Sequence, residues 1–317
     1  MIKKKLKNAI FLLSSNIRIS TKELSKHIKS SQQSASYIIH QLKKKKLVKN
    51  EITIVDPIKL GFINIIVGFN YVKFDAKIRA EVIDVLKNTN SIISIKEASR
   101  GVDFIVEYCV QNLSAFNKIH SEIIHKLHHT VKTKFIFPIV VKHKHDRCYL
   151  IEHCTGTDIV ICGDREVNIL STNEKSILKE LIKTPTASYT SIAKSTKISV
   201  KSVINIKKKL EKLRIIRGYS CILNHKALGI NRSLLLLKLS GIGVGEINKL
   251  VEFGIRNLNI IEQIKIIGDY HIILIIESIK NNDLIKELRS RFSIEEYWSI
   301  QIDNIDKEYY LPRDIEE

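Results

Sequence analysis

A chain of 317 residues exceeds the roughly 100–200 residues of one typical domain, so a single small module is excluded. With 44% apolar and 27% charged residues wholesale disorder is excluded too, and no run approaches the roughly 18 uncharged apolar residues of a membrane span. The 52 Lys+Arg against 33 Asp+Glu leave a formal charge of +19, which calls for a polyanionic partner.

Each half of the chain opens with three short helical patterns. In the first, Leu6, Ile10 and Leu13 recur at helical spacing. Thr21 starts a second helix with Leu24 and Ile28, and Ser31 caps a third whose core face is Ala35, Ile38, Ile39 and Leu42. The short break before Ser31 predicts a helix-turn-helix, and Leu47 to Val55 a wing or linking strand. After Asp56-Pro57 the order is βαββαβ: strand 62–73, helix 75–88, strands 91–99 and 102–110, helix 113–129, strand 131–142.

Residues 146–171 read as a linker with turn signals at Thr155-Gly-Thr157 and Gly163-Asp164. A constant offset of 168 residues then superimposes the second half on the first. Ser31-x-x-Ser34 falls on Ser199-x-x-Ser202, Leu42 on Leu210 and Leu60-Gly61 on Leu228-Gly229. The βαββαβ order recurs as 232–240, 244–257, 259–267, 270–278, 281–291 and 294–303. The expected fold is therefore α+β, a tandem duplication of a winged helix-turn-helix and a ferredoxin-like unit. Its boundaries are 1–55, 56–145, the linker 146–171, 172–222 and 223–317. Strands such as Ile272 to Ile276 are apolar on both faces, which predicts sheet-to-sheet packing between the halves or between chains.

The charge is concentrated. Residues 1–55 carry +11 and 172–219 carry +9, against +5, −3 and −3 for 56–145, 146–171 and 220–317. A membrane surface would call for a basic amphipathic helix with aromatic residues, whereas the sole tryptophan, Trp298, lies in an acidic context. Double-stranded DNA is the better partner, and the third helix of each unit has the chemistry for it. In the first, Ser31, Gln32, Gln33, Ser34, Ser36, Tyr37, His40, Lys43 and Lys44 are the candidate contacts, with Lys45 and Lys46 completing the run. In the second they are Ser199, Lys201, Ser202, Asn205 and Lys208, with Val200 and Ile204 also outward and Lys207–Lys209 as the matching run. Gln and Asn match the adenine edge, while Lys and Ser hold phosphates. Because the two sets differ, the units should read different half-sites.

These residues carry a resemblance. Ile19-Ser-Thr-Lys-Glu-Leu-Ser-Lys26, the Ser31 helix start and Asp56-Pro-x-Lys-Leu-Gly61 resemble the DNA-binding domain of the Lrp/AsnC (feast/famine) transcription regulators, and Arg217-Gly-Tyr219 with Leu228-Gly229 extend the match to the second half. The βαββαβ unit resembles that family's regulatory domain, and the two-copy arrangement is similar to its archaeal fused members. The resemblance implies a non-enzymatic regulator without cofactor, pairing of the regulatory sheets as a pseudo-dimer within the chain or as a homodimer, and an effector such as an amino acid near a Gly-x-x-Asp loop. Gly101 and Asp103 in the first half, and Gly268, Asp269 and His271 in the second, stand at those loops. The aspartate is replaced by His271, and Gly101 is displaced by one position.

Rival chemistries are few. His143, His145, Cys148, His153, Cys154 and Cys162 cluster without conventional zinc spacing, so no metal is expected. With no C-x-x-C pair among five cysteines, a disulfide framework is not expected and a reducing, cytoplasmic compartment fits. His120, His125, His128 and His129 read as surface residues of one helix. Siroheme decarboxylases resemble the same helix-turn-helix and ferredoxin-like unit and are the enzymatic alternative, but Phe135-Ile-Phe-Pro138 and Tyr297-Trp298-Ser299 lack the neighbouring histidine of that family's motif.

Overall fold

The computed structural model describes residues 4–312 except 155, 164–165, 241–242 and 280–283. Expectations for Met1–Lys3, Thr155, Asp164 and residues 281–283 lie outside the described residues. The first half runs α1 (Lys4–Ser15), α2 (Thr21–His27), α3 (Gln32–Lys44), β1 (Val48–Val55), a 3-10 turn (Ile58–Leu60), β2 (Ile63–Tyr71), α4 (Ala76–Asn88), β3 (Ile92–Ala98), β4 (Phe104–Val110), α5 (Leu113–Lys126) and β5 (Val131–His145). A second 3-10 turn (Cys148–Leu150) and β6 (Asp158–Ile161) follow. The second half repeats the first as α6 (Thr172–Lys183), α7 (Tyr189–Thr196), α8 (Val200–Lys212), β7 (Ile216–Leu223), α9 (His225–Leu228), β8 (Asn231–Leu239), α10 (Val244–Arg256), β9 (Ile260–Ile266), β10 (Ile272–Ser278), α11 (Leu284–Arg291) and β11 (Ile294–Glu308).

Short polar side chains set most of the helix starts. Ser20, Ser31, Asp75, Asn112, Ser188 and Ser199 each accept a hydrogen bond from a first-turn amide. Ser171 and Glu174 form a reciprocal capping box at α6.

No hairpin wing forms from β1. It pairs antiparallel with β7 of the other half, Ile52 opposite Ser220, so the two strands join the helix-turn-helix units to each other. This is the linking-strand alternative, and it is reinforced where Ser220 Oγ donates to the Ser14 carbonyl at 2.6 Å and Thr53 Oγ1 to that of Leu181.

The ferredoxin-like sheets, β5-β2-β4-β3 and β9-β10-β8-β11, meet at both edges: β3 pairs with β11, and β5 with β9. The halves therefore do not stack face to face. Their edges fuse into a closed eight-stranded barrel with β6 added on β5, which removes every free edge of those eight strands. Two 15-residue strands make the seams. β5 pairs with β2 over 131–138 and with β9 over 139–144, and β11 pairs with β8 over 294–302 and with β3 over 302–308.

Closure explains why the strands are apolar on both sides. Val67, Phe104 and Val106 pack outward beneath α4 and α5, and Leu235, Leu237 and Leu274 beneath α10 and α11. Ile66, Ile105, Leu234, Leu236, Ile273 and Ile300 face inward, continuous with the helix-turn-helix core.

Charges are buried on this inner side as well. Lys142 bonds Glu107 at 2.8 Å, Lys144 reaches Glu262 at 3.4 Å, and Glu277 takes Arg147 at 2.8 Å, His225 at 2.7 Å and Tyr149 at 2.7 Å. Arg232 lies between Glu277, at 3.4 Å, and Glu308, at 3.9 Å. Burial alone would raise the Glu262 carboxyl, but Lys144 and Lys142 hold it at about 2.

The linker is part of the body. Its 3-10 turn packs on α1, where Ser15 Oγ donates to Asp146 at 2.7 Å, and Leu150, Ile161 and Cys162 join the core. Contrary to expectation, Cys148 and Cys154 form a disulfide, their Cα atoms 5.4 Å apart. His143 and His145 both face Asp158, at 2.8 and 3.4 Å, and no metal-holding group of three or more His, Cys, Asp or Glu side chains occurs among the described residues.

His120 is also placed differently from the surface reading. It sits half-buried between Tyr108 Oη (3.3 Å) and Thr133 Oγ1 (3.2 Å), stacked on Phe116, while His125, His128 and His129 are exposed. Burial lowers the titration of His120, His145 and His225 below the ordinary 6.5. For a folded value below the unfolded one, the stabilisation is present above about 6.5 and is lost as pH falls. The melting temperature is accordingly expected to drop between pH 7 and 5; a flat profile in a pH-melting series would contradict these burials.

Candidate nucleic-acid interface

In each unit the turn from second to third helix is closed by the same two serines. Ser31 Oγ accepts from the Ser34 amide and Ser199 Oγ from the Ser202 amide, both at 3.2 Å, while the paired hydroxyls bond at 3.1 and 2.9 Å. These four serines shape the helix starts, and Ser202 is half-buried.

The rest of the outer faces is open. Gln32, Gln33, Ser36, Tyr37, His40 and Lys44 are exposed, Tyr37 at 64%, as are Lys201, Asn205 and Lys208. None of these side chains makes a polar contact among the described residues, so all are available to a partner. Beneath them Ala35 and Leu42, and Val203 and Leu210, are fully buried, which fixes the rotation of each helix.

Two lysine runs were expected, and they differ in freedom. Lys43 pairs with Glu51 at 2.6 Å, leaving Lys44 to Lys46 free among the described residues. In the second unit Lys207 is buried on Glu211 and over the Tyr219 ring, and Lys209 pairs with Glu174 at 2.6 Å. Only Lys208 of that run is both exposed and unpaired among the described residues. Ile204, expected outward, is half-buried.

A residue that sequence reasoning passed over couples the units. Arg18, in the α1–α2 loop, donates to the carbonyls of Pro185 and Ala187 and lies over Tyr219 at 5.1 Å. A lone arginine in a polar loop carried no signal of this.

The expected effector residues lie at the β3–β4 and β9–β10 loops. Asp103 Oδ2 accepts from the Tyr71 amide at 2.7 Å, and His271 Nδ1 from the Leu239 amide at 3.0 Å. Asp269 is exposed. Gly101 has φ +87 and abuts the Trp298 indole; Gly268 abuts the Phe137 ring. Both loops thus rest on one aromatic cluster, Phe135, Phe137, Tyr270 and Trp298. In Gly101→Ala the new Cβ would lie 2.5 Å from Trp298 Nε1 on a left-handed backbone. The expected loss is about 1–3 kcal/mol, with a shift in the emission of the sole tryptophan; unchanged stability and emission would contradict this packing.

Comparison with known proteins bears directly on the second unit. A winged helix-turn-helix DNA-binding family matches residues 170–217. The chain is 28% identical over 123 residues to an uncharacterised HTH-type transcriptional regulator of Pyrococcus furiosus, covering 38% of this chain and 81% of that one. A counterpart from Pyrococcus abyssi is 27% identical over a similar span. Among solved structures, siroheme decarboxylase NirDL aligns over 97% of this chain and 94% of its own, with TM-score 0.58 at 13% identity, a likeness of fold. The chain is thus a relative of HTH-type transcriptional regulators and carries their DNA-binding unit in a duplicated α+β framework.

Proposed function

We propose that the protein is a sequence-specific transcription regulator of the Lrp/AsnC type in fused two-repeat form, binding double-stranded DNA rather than catalysing a reaction. The observation that carries this reading is the pair of capped third helices, each with an unengaged polar outer face, held together by β1 and β7. Lysines supply salt-dependent phosphate contacts, while Gln32, Gln33 and Asn205 supply base preference. The units at 1–55 and 172–222 grip DNA, and the regulatory units at 56–145 and 223–317 pair as a pseudo-dimer and set the spacing.

An effector such as an amino acid would meet the Gly101–Asp103 and Gly268–His271 loops from outside, since Trp298 and Phe137 fill the inner side. Selection of bound duplexes by the purified chain, followed by gel retardation, tests the reading. Retardation of a selected duplex and no absorbance change on adding an iron tetrapyrrole are expected; the reverse pattern would overturn it.

A further inference from the structure

The repeat is broken at one place. Between the C-terminal end of α3, the start of β1 and the end of α6 lies an open cleft of about 1160 Å³. Lys43, Lys46 and Lys49 line it from the first half and Lys179 and Lys183 from the second, together with Tyr309. Its pseudo-symmetric counterpart is found by the 168-residue offset, which carries Ile182 and Lys183 onto Ser14 and Ser15. There the 3-10 turn of the linker packs against α1, and the small pocket that Ser14 and Ser15 line holds about 10 Å³. The linker thus occupies the side of Ser14 and Ser15, whereas the side of Ile182 and Lys183 stays open.

The open side is strongly cationic. Its five lysines face two carboxylates, Glu51 and Glu180. Glu51 is bonded to Lys43, and Lys49 reaches Asn304 at 3.1 Å. Lys46, Lys179 and Lys183 have no partner among the described residues. Lys46, Lys179 and Lys183 share the lining of one cleft from two units, and a multiply charged anion between them would offset their mutual repulsion. Compact ammonium charges on flexible stems suit phosphate oxygens, and the volume accommodates a ligand of nucleotide size.

We propose that this cleft binds a small polyphosphate, a ligand separate from duplex DNA, which bridges the two helix-turn-helix units. The inference stands on the cleft alone and does not depend on the DNA-binding reading.

Calorimetric titration of the full chain with inorganic tripolyphosphate tests it. Saturable binding at low salt is expected, weakened at least tenfold in Lys179→Glu/Lys183→Glu and measurably in the milder Lys179→Gln/Lys183→Gln. Lys118→Glu/Lys126→Glu, an equal charge change on exposed positions of α5, should leave binding intact. Absence of binding, or equal weakening in the α5 variant, would overturn the site. So would a cleft variant that loses duplex affinity while the native chain ignores tripolyphosphate, because the lysines would then be DNA contacts only.

Discussion

Glu277→Ala is expected to lower stability by about 3–5 kcal/mol, the cost typical of removing one partner from a buried ionic network. The Glu277 carboxylate is fully buried and accepts from Arg147, Tyr149 and His225, with Arg232 close by. Burial by itself would raise this carboxyl; Arg147, His225 and Arg232 hold it well below its ordinary value instead. Loss of the carboxylate strands the Arg147 guanidinium inside the body and leaves Arg232 only Glu308, 3.9 Å away, as a carboxylate partner. Glu277→Gln keeps the shape without the charge and should fall close to alanine. The exposed Lys4–Glu152 pair offers the contrast, since solvent screens surface pairs and they contribute little. Chemical denaturation of the two Glu277 variants decides: a small effect for both would mean that the arginines find other partners. Because the folded carboxyl is depressed, its contribution is present above the ordinary carboxylate value and is lost as pH falls through the lowered one.

Duplex affinity should collapse with salt. If the two units together contact 6–10 phosphates, raising salt from 50 to 200 mM weakens binding by roughly 10³–10⁵-fold. Lys44→Glu/Lys208→Glu, one exposed lysine from each third helix, should weaken every sequence alike and flatten the salt slope by about two contacts. Gln33→Ala or Asn205→Ala should instead relax base preference on one side of the site, at about 1–3 kcal/mol each. Retardation assays across a salt series, with selected and scrambled duplexes, separate these outcomes. Salt-insensitive binding, or indifference to both lysine reversals, would sink the interface.

The parts of the molecule that could be read ahead of its structure are those decided by neighbours in sequence. Ser31 and Ser199 cap helices because a short hydroxyl precedes an apolar face at helical spacing, and that chemistry spans only three residues. What covers the strands was not readable. Doubly apolar runs such as Ile272–Ile276 require cover on both faces, and stacked sheets satisfy that as well as a barrel does. Closure depends on edge partners far away in sequence, such as Ile139 and Ile266. Lys142, Lys144 and Glu107 carry no signal of burial in sequence, because each finds its partner on another strand. Likewise Lys207 and Lys209 seemed as free as Lys44 until Glu211, Tyr219 and Glu174 came against them.

The pairing of β1 with β7 joins segments of one chain, as do both barrel seams. A symmetric dimer built from two copies separates on dilution, so its paired state depends on how much protein is present. Here the partner unit is tethered at a fixed effective concentration, and the paired arrangement persists however scarce the molecule is. Freed from fitting an identical copy of itself, each half can also differ from the other, as the open cleft beside Lys183 and the linker packed beside Ser15 do.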